Sequence, residues 1–310
     1  MQKRGTLTAV CARLPSDMTA DYPATLSLTK HHGLGNDFLV LTDVDGALAF
    51  SREEGAALAR RVCDRHRGIG ADGLLLALPA PGDGSADVTM RLHNADGSVA
   101  EMSGNGVRCF VQAIVDGGLA PAGALRVATD AGVRVVHVER SDKTGLAHIR
   151  VDMGTAVVGR IAIAADAAFV IGERRSETVD VGNPHLVVAG DTRTVDLAVF
   201  GPAVEKPYLP MSHGINVEVI ERAADQRDTI DMVVWERGVG ITQACGTGAV
   251  ASAVVANRWG MAGQRVTVRQ PGGSSVVEID GDRVTLIGPS QFVARIEIQR
   301  AATKEVLEVH

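Results

Sequence analysis

The sequence is poor in aromatic residues and has no basic cluster, and both features exclude a class of partner. Phe, Trp and Tyr make up 3% of the 310 residues, and the formal net charge is -6 at pH 7. Nucleic-acid-binding proteins usually carry a basic patch, often with aromatic side chains among the cations. We therefore expect no nucleic-acid partner. No apolar run reaches the roughly 20 residues that cross a bilayer, so we also expect no membrane partner.

Cysteine is scarce as well, and its spacing fits neither a disulfide framework nor a zinc site. The four cysteines are Cys11, Cys63, Cys109 and Cys245, without the paired spacing of metal ligands. Irregular thiols in a long chain are typical of a reducing compartment, so we predict a cytoplasmic protein. The sequence carries no fingerprint for pyridoxal phosphate, a metal or a nicotinamide, and we expect no cofactor.

One cysteine lies where an apolar helix is predicted to begin. Cys245 is followed by Gly-Thr-Gly and by small apolar residues up to Asn257, and Gly260 predicts the helix end. The unpaired N–H groups and positive dipole of a helix start can bind a carboxylate and lower the pKa of a thiol. We therefore expect a useful thiolate at neutral pH. A small cysteine buried before a tightly packed helix would explain the same residues.

The pattern occurs a second time, with serine in place of cysteine. Ser103 precedes Gly-Asn-Gly and another apolar helix, and GNDFLV at 35–40 and GNPHLV at 182–187 stand in the same order relative to the two helix starts. We interpret the chain as two related halves that present opposed helix N-termini to one ligand. This arrangement suits a reaction that needs an acid on one face of a carbon and a base on the other.

Short strand patterns surround both apolar helices and predict α+β lobes in which a curved sheet wraps a central helix. We place an N-terminal extension at 1–26 and the N-terminal lobe at 27–148, with the last strand, about 290–300, returning to it. The C-terminal lobe is predicted at 149–289.

Three local signals add detail to this outline. Ser51 and Glu54 predict a capping box for a helix over 52–63. A short helix is predicted over 195–200. The glycine-rich segment 64–73 fits either a tight structural turn or a ligand-facing loop.

Together these residues resemble diaminopimelate epimerase over about residues 27–298. The resemblance implies a cofactor-independent enzyme that interconverts LL- and meso-2,6-diaminopimelate in lysine and peptidoglycan biosynthesis. It also implies two pseudo-symmetric lobes with barrel-like sheets around central helices, a site between them, a small amino-acid substrate and a cytoplasmic homodimer. The motifs are HGLGNDF at 32–38, CDRHRGIGADG at 63–73, NADGSVAEMSGNGVRC at 94–109, GNPH at 182–185, GINVE at 214–218 and ERGVGITQACGTGA at 236–249.

The resemblance also implies roles for individual residues. Cys245 and Ser103 occupy the two proton-transferring positions, and Arg237 would bind the distal carboxylate. His185 and Glu236 would position the α-amino group and the catalytic groups. The reacting α-carboxylate would be held by the helix-start residues Gly104, Asn105, Gly246 and Thr247. The rest of the substrate would be held by four asparagines, Asn36, Asn94, Asn183 and Asn216.

Three residues depart from the family pattern. Ser103 replaces a catalytic cysteine, Gly73 stands where many members have glutamine, and Ile241 stands where the common motif has glutamate. Serine is a much weaker acid than a thiol, so it can protonate a carbanion but can scarcely act as a resting base. The chain is thus a natural variant that still epimerises, carries a serine introduced in place of cysteine, or catalyses a changed reaction.

Two other functions fit part of the sequence. A dehydratase or isomerase of the related proline racemase group would need only Cys245 as a single base, but a small cyclic substrate would not need Arg237 and four asparagines. A nucleotide-binding module at 104–106 or 246–248 would lack the third glycine and the acidic residue of a dinucleotide fingerprint. The epimerase interpretation accounts for more of the residues.

Overall fold

A computed structural model describes residues 25–299, except 45, 47, 49, 101, 122, 142, 143 and 210–213. The extension predicted at 1–26 lies outside the described residues apart from its last two, and so does Cys11. Five helices are described: α1 Arg52–Val62, α2 Gly104–Asp116, α3 Ala165–Ile171, α4 Leu197–Glu205 and α5 Gly246–Arg258, with a 3-10 turn at Lys206–Tyr208.

The strands belong to one continuous 17-stranded sheet. They are β1 Thr25–Gly33, β2 Asn36–Thr42, β3 Gly73–Leu78, β4 Val88–Asn94, β5 Val99–Ala100, β6 Ala124–Thr129, β7 Gly132–Ser141, β8 Leu146–Thr155, β9 Val157–Val158, β10 Ser176–Asp180, β11 Pro184–Ala189, β12 Asn216–Arg222, β13 Thr229–Glu236, β14 Gly240–Ile241, β15 Arg265–Gln270, β16 Gly273–Asp280 and β17 Arg283–Gln299.

Strand pairing repeats in the two halves of the chain. In the first half, β1–β2, β3–β4, β4–β5, β6–β7 and β7–β8 are antiparallel, while β2–β3 and β4–β6 are parallel. The second half repeats this order from β10–β11 to β16–β17, with β11–β12 and β13–β15 parallel. The helices α2 and α5 occupy equivalent places, after β5 and β14. The predicted internal repeat is therefore present in the fold.

Two shared strands close the sheet into two barrels. Strand β17 pairs with β8, β16 and β1, and β9, which continues β8, pairs with β10. One ring therefore runs through β1, β2, β3, β4, β6, β7, β8 and β17. The other runs through β10, β11, β12, β13, β15, β16, β17 and the β8–β9 segment. The α+β fold class with two pseudo-symmetric, barrel-like lobes is confirmed.

Each barrel is filled by one helix. In α2 the first eleven residues, 104–114, are buried, and in α5 residues 246–256 are buried. A helix surrounded on all sides by sheet is expected to be apolar around its circumference, as α5 is. In α2, three polar side chains, Asn105, Arg108 and Gln112, are buried along one side and hydrogen-bonded. Close packing holds both helix axes in place. The positions of their N-termini follow from this packing.

The local predictions have mixed outcomes. The capping box of Ser51 and Glu54 is present, and α1 ends at Val62. The helix predicted over 195–200 begins at Leu197 and continues through Pro202 to Glu205. Its last turn is held by tertiary contact, because the Trp235 indole donates a 2.7 Å hydrogen bond to Glu205. Among the described residues, no helix has the length and apolarity to cross a membrane.

Candidate active site

The two central helices meet at their N-termini. A Cβ atom built on Gly246 would lie 2.9 Å from the Cα atom of Gly104, and one built on Gly104 would lie 3.1 Å from the Cα atom of Gly246. Leu286, from shared strand β17, packs against both glycines. Glycine at both positions is what permits this backbone contact. We call the first two residues of each helix, Gly104, Asn105, Gly246 and Thr247, the carboxylate cradle.

We expect Gly246→Ala to damage both stability and activity. The added methyl group would meet backbone atoms that cannot rotate away, so the two barrels must separate slightly. The free energy of unfolding should fall by about 1–3 kcal/mol, the usual cost of overpacking. Denaturant unfolding measures this loss. Gly82→Ala is the matched control, because nothing lies within 4 Å of a Cβ built there; equal losses in the two variants would contradict the packing argument.

The residues preceding the cradle cap the two helices in the same way. Ser103 Oγ accepts a 3.0 Å hydrogen bond from the Gly106 N–H, and Cys245 Sγ accepts a 3.3 Å hydrogen bond from the Gly248 N–H. Both caps have extended backbone, with φ and ψ of -137° and 121° at Ser103 and -120° and 120° at Cys245. The hydroxyl and the thiol therefore stand in equivalent positions at the contact between the two helices.

The environment of Cys245 contradicts one expectation. Burial raises the pKa of its thiol well above the ordinary value, and the carboxylates of Glu236 and Glu218 raise it further. Hydrogen bonds with Thr247 and Gly248 act in the opposite direction and are outweighed. The expected resting thiolate is therefore wrong for the free protein. One helix N-terminus stabilises a negative charge by at most about 2 kcal/mol. Removing that charge from water into the protein interior costs several kcal/mol.

A buried histidine and carboxylate lie beside this thiol. His185 Nδ1 is 2.7 Å from Glu218 Oε1, and both side chains are fully buried. His185 Nε2 faces Asn183 Oδ1 at 3.0 Å, and Asn183 Nδ2 donates to Thr247 Oγ1 at 3.4 Å. Both ring nitrogens thus face oxygen atoms.

Glu236 and Arg237 follow one another at the end of β13. The Glu236 carboxylate accepts a hydrogen bond from Thr242 Oγ1. Burial raises the pKa of Glu236, while hydrogen bonds from Thr242 and Cys245 lower it to a smaller extent. The backbone N–H of Arg237 donates to Asn216 Oδ1 at 3.0 Å. The structure therefore brings the second-half site residues, 183, 185, 216, 236, 237, 245 and 247, into one cluster.

The first-half residues form a connected chain of hydrogen bonds. Asn105 Nδ2 donates to Ala244 O at 3.0 Å and to Asn36 Oδ1 at 3.3 Å. Asn36 Nδ2 in turn donates to Asp72 Oδ2 at 2.6 Å. Arg65 bridges Asp37 and Asp72, at 2.6 Å and 2.9 Å. The segment 64–73 therefore holds Asn36 in place through Arg65 and Asp72, and acts at least as a structural support.

The remaining predicted site residue and the two other departures lie at the ends of strands. Asn94 ends β4 opposite Gly73, and its Nδ2 donates to Ser98 Oγ at 3.0 Å. A Cβ on Gly73 would lie 2.8 Å from the backbone oxygen of His93, so glutamine cannot occupy this position without a backbone shift. Ile241, in β14, is 57% exposed. The structure gives no account of isoleucine there.

Sequence reasoning missed two buried charged residues. Glu218 lies two residues after Asn216 on β12, so the alternation of a strand places both on one face. Arg108 lies within α2 and is completely buried. In both cases the sequence feature that could have identified the residue was a single charged side chain inside an apolar run. Within the described part of the chain, no group of three or more His, Cys, Asp or Glu residues is arranged to hold a metal ion.

The sequence matches a protein family described as diaminopimelate epimerase over residues 28–159 and 177–293. A diaminopimelate epimerase of Rhodococcus opacus is 40% identical over 290 residues, covering 87% of this chain and 96% of that protein. Another, of Corynebacterium glutamicum, is 38% identical over 285 residues, covering 89% of this chain and 99% of that protein. The similarity includes both halves of the chain and therefore both helix N-termini.

Solved structures with low sequence identity share the fold. A phenazine biosynthesis protein of the PhzF family from Bacillus anthracis superposes with a TM-score of 0.66 at 16% identity, covering 88% of this chain and 99% of that chain. A hydroxyproline epimerase from Agrobacterium vitis superposes with a TM-score of 0.66 at 17% identity, covering 89% and 91%. The two-barrel architecture is common to these proteins.

Proposed function

The chain belongs to the diaminopimelate epimerase family, and on that premise we propose that it interconverts LL- and meso-2,6-diaminopimelate. The observation that carries the proposal is the backbone contact between Gly104 and Gly246, which sets the caps Ser103 and Cys245 beside one binding position. An acid and a base on opposite faces of one α-carbon are what inversion of configuration requires. The product would serve lysine and peptidoglycan biosynthesis.

The carboxylate cradle would bind the α-carboxylate. The first N–H groups of a helix have no intrahelical partner, and two helix starts that touch direct both sets of donors and both positive dipole ends at one anion. Removing the α-proton places additional negative charge on this carboxylate. Donors already arranged around it stabilise that charge without reorganisation, which is commonly the largest contribution to such catalysis.

Proton transfer is assigned to Cys245 and Ser103. Cys245 is 5% exposed and contacts the Glu236 carboxylate, so its proton has an acceptor. An arriving α-ammonium group would offset the negative charge of Glu236 and Glu218, which favours the thiolate. The thiolate would then remove the α-proton of one isomer, and the Ser103 hydroxyl would protonate the opposite face.

Four asparagines and Arg237 would hold the rest of the substrate. Arg237 follows Glu236 and lies next to Asn216, so the distal carboxylate would bind at this end of β12 and β13. Asn36 and Asn94 stand at the corresponding strand ends of the first barrel. The substrate would therefore lie across the junction between the two barrels.

We expect Arg237→Lys to weaken substrate binding by about 2 kcal/mol or more, in line with the usual contribution of a charge-assisted hydrogen-bond pair. The guanidinium binds a carboxylate with two parallel donors, which an ammonium cannot reproduce. Calorimetric titration with meso-diaminopimelate measures the change. Arg258→Lys is a control, because Arg258 lies at the far end of α5. An unchanged dissociation constant for Arg237→Lys would remove this residue from the site.

The direct test of the function is incubation of the purified protein with LL-diaminopimelate, followed by chiral chromatography. The proposal predicts that the meso isomer accumulates to the same equilibrium ratio from either side. Absence of conversion, together with absence of α-hydrogen exchange, would overturn it.

We also propose a cytoplasmic homodimer. Several large apolar side chains are exposed on α3, on α4, just after α4 and on the β13–β14 hairpin. Exposed apolar side chains of this kind are typical of protein–protein interfaces. These side chains are Phe169, Val199, Leu209, Val239 and Ile241.

A further inference from the structure

A fully buried arginine lies directly behind the carboxylate cradle. Arg108 is 0% exposed and is the fifth residue of α2. Its Nη1 donates to Gly104 O at 2.9 Å, its Nη2 to Asn105 Oδ1 at 2.6 Å and its Nε to Pro289 O at 3.2 Å. All of these acceptors are neutral oxygen atoms. Within the part of the chain that the structure describes, no carboxylate forms an ion pair with this guanidinium.

The surrounding strands are built to accommodate the guanidinium. A Cβ atom on Gly288 of β17 would lie 3.0 Å from Arg108 Cζ, and one on Gly33 of β1 would lie 3.2 Å from Nη2. The fifth residue of α5, in the matching place of the other barrel, is the buried Val250. The charge is therefore not a requirement of a helix packed inside such a barrel.

An unbalanced cation in this place is costly. Burial lowers the pKa of Arg108 to about 10, which reflects the energetic cost of holding the charge away from water. The positive end of the α2 dipole also opposes a cation in the first turns of the helix. An anion bound at the N-termini of α2 and α5 would reverse both effects, because it supplies the missing negative charge.

The same side chain determines how Asn105 is oriented. Arg108 can only donate, so the Asn105 oxygen must face it and the Asn105 amide nitrogen must face Asn36 and Ala244. Ala244 immediately precedes Cys245, so this amide joins the first barrel to the loop that carries the thiol. Without Arg108, the amide could turn over and both contacts would be lost.

We propose that Arg108 is a positioning residue that orients Asn105 and provides the buried positive charge balanced by the α-carboxylate of the substrate. This inference rests on the proposed function. Arg108 does not touch the substrate. It acts through the cradle, on the bound carboxylate and more strongly on the extra charge that develops when the α-proton leaves.

The test compares Arg108→Met with the wild type and with Gln112→Met. Gln112 lies one turn further along α2 and is also buried and hydrogen-bonded, to Gly145 and Ser290, so its variant reports the structural effect of losing a buried polar side chain. For Arg108→Met we expect kcat for α-hydrogen exchange to fall about 100-fold, as on loss of an oxyanion donor. The Kd for meso-diaminopimelate should rise about tenfold. For Gln112→Met we expect kcat within about threefold of the wild type.

Thermal unfolding separates a catalytic effect from misfolding. Arg108→Met removes a costly unbalanced buried charge and also three hydrogen bonds. We expect these effects to offset one another largely, so the Tm should stay within about 5 °C of the wild type. If Arg108→Met does not fold, the kcat and Kd of Arg108→Lys test the inference instead. Lysine keeps the charge and loses the fork to Asn105 and Gly104, and we expect kcat to fall about tenfold.

Unchanged kcat and Kd in a folded Arg108→Met protein, or unchanged values in Arg108→Lys where the methionine variant fails, would overturn the inference. A wild type without exchange or epimerisation would instead overturn the proposed function. If that wild type still binds meso-diaminopimelate, the role of Arg108 is tested by comparing the Kd of Arg108→Met with the Kd of the wild type.

Discussion

Cys245→Ala is expected to abolish both epimerisation and α-hydrogen exchange, with a loss of about 10⁴-fold, at the upper end for a general base. The thiol caps α5 and contacts Glu236, and no other cysteine among the described residues lies at a helix N-terminus. Cys63 is buried in the apolar cluster around α1, and Cys109 is buried within α2 in the main core cluster. Measurement of both rates on diaminopimelate in deuterated water checks the prediction.

Cys109→Ala is the matched control for this loss. Cys109 is fully buried in α2, and burial raises the pKa of its thiol to about 11. We expect this variant to keep the wild-type rates once the folded fraction is taken into account. Residual exchange in Cys245→Ala, or equal losses in the two variants, would show that the base has been assigned to the wrong residue.

Ser103→Cys is expected to raise epimerisation by about 100-fold or more, because a thiol is far more acidic than a hydroxyl. In the wild type, the direction in which Ser103 acts as the base is slow at the chemical step. Microscopic reversibility then slows both directions together, since the equilibrium between isomers is unchanged. A cysteine at position 103 would keep the same cap geometry, as Cys245 shows.

Ser103→Ala completes this comparison. It removes the hydroxyl proton and the Gly106 cap but leaves Cys245 in place. We expect epimerisation to fall further while exchange at the isomer handled by Cys245 remains. If Ser103→Cys has the wild-type rate, the proton on that face comes from another group, such as a bound water.

The two-lobe fold could be predicted because its signals are local and occur twice. The pairs Ser103 and Cys245, and Asn36 and Asn183, stand at corresponding points of the repeat, and each helix start carries its own cap. Although the last strand, about 290–300, was expected to return to the N-terminal lobe, closure of the barrels was not predictable in the same way. It depends on β17 pairing with both β8 and β1, and such distant pairing leaves no mark in the residues between them.

The candidate site shows the same division. Ser103 and Cys245 could be named from cap signals, but the protonation state of Cys245 could not be predicted. Burial raises the pKa of the thiol most, and the carboxylates of Glu236 and Glu218, which approach it from β13 and β12, raise it further. Arg108 was passed over because a single charge in an apolar helix has no meaning until its neighbours are known.

Whether Cys245 and Ser103 form an unequal base and acid pair can be tested with the wild type alone. Each isomer of diaminopimelate is incubated in deuterated water, and α-deuterium and configuration are measured at early times by mass spectrometry after chiral separation. We expect deuterium to enter the unconverted isomer handled by Cys245 faster than the other isomer forms. Equal incorporation into both unconverted isomers, or incorporation no faster than conversion, would contradict it.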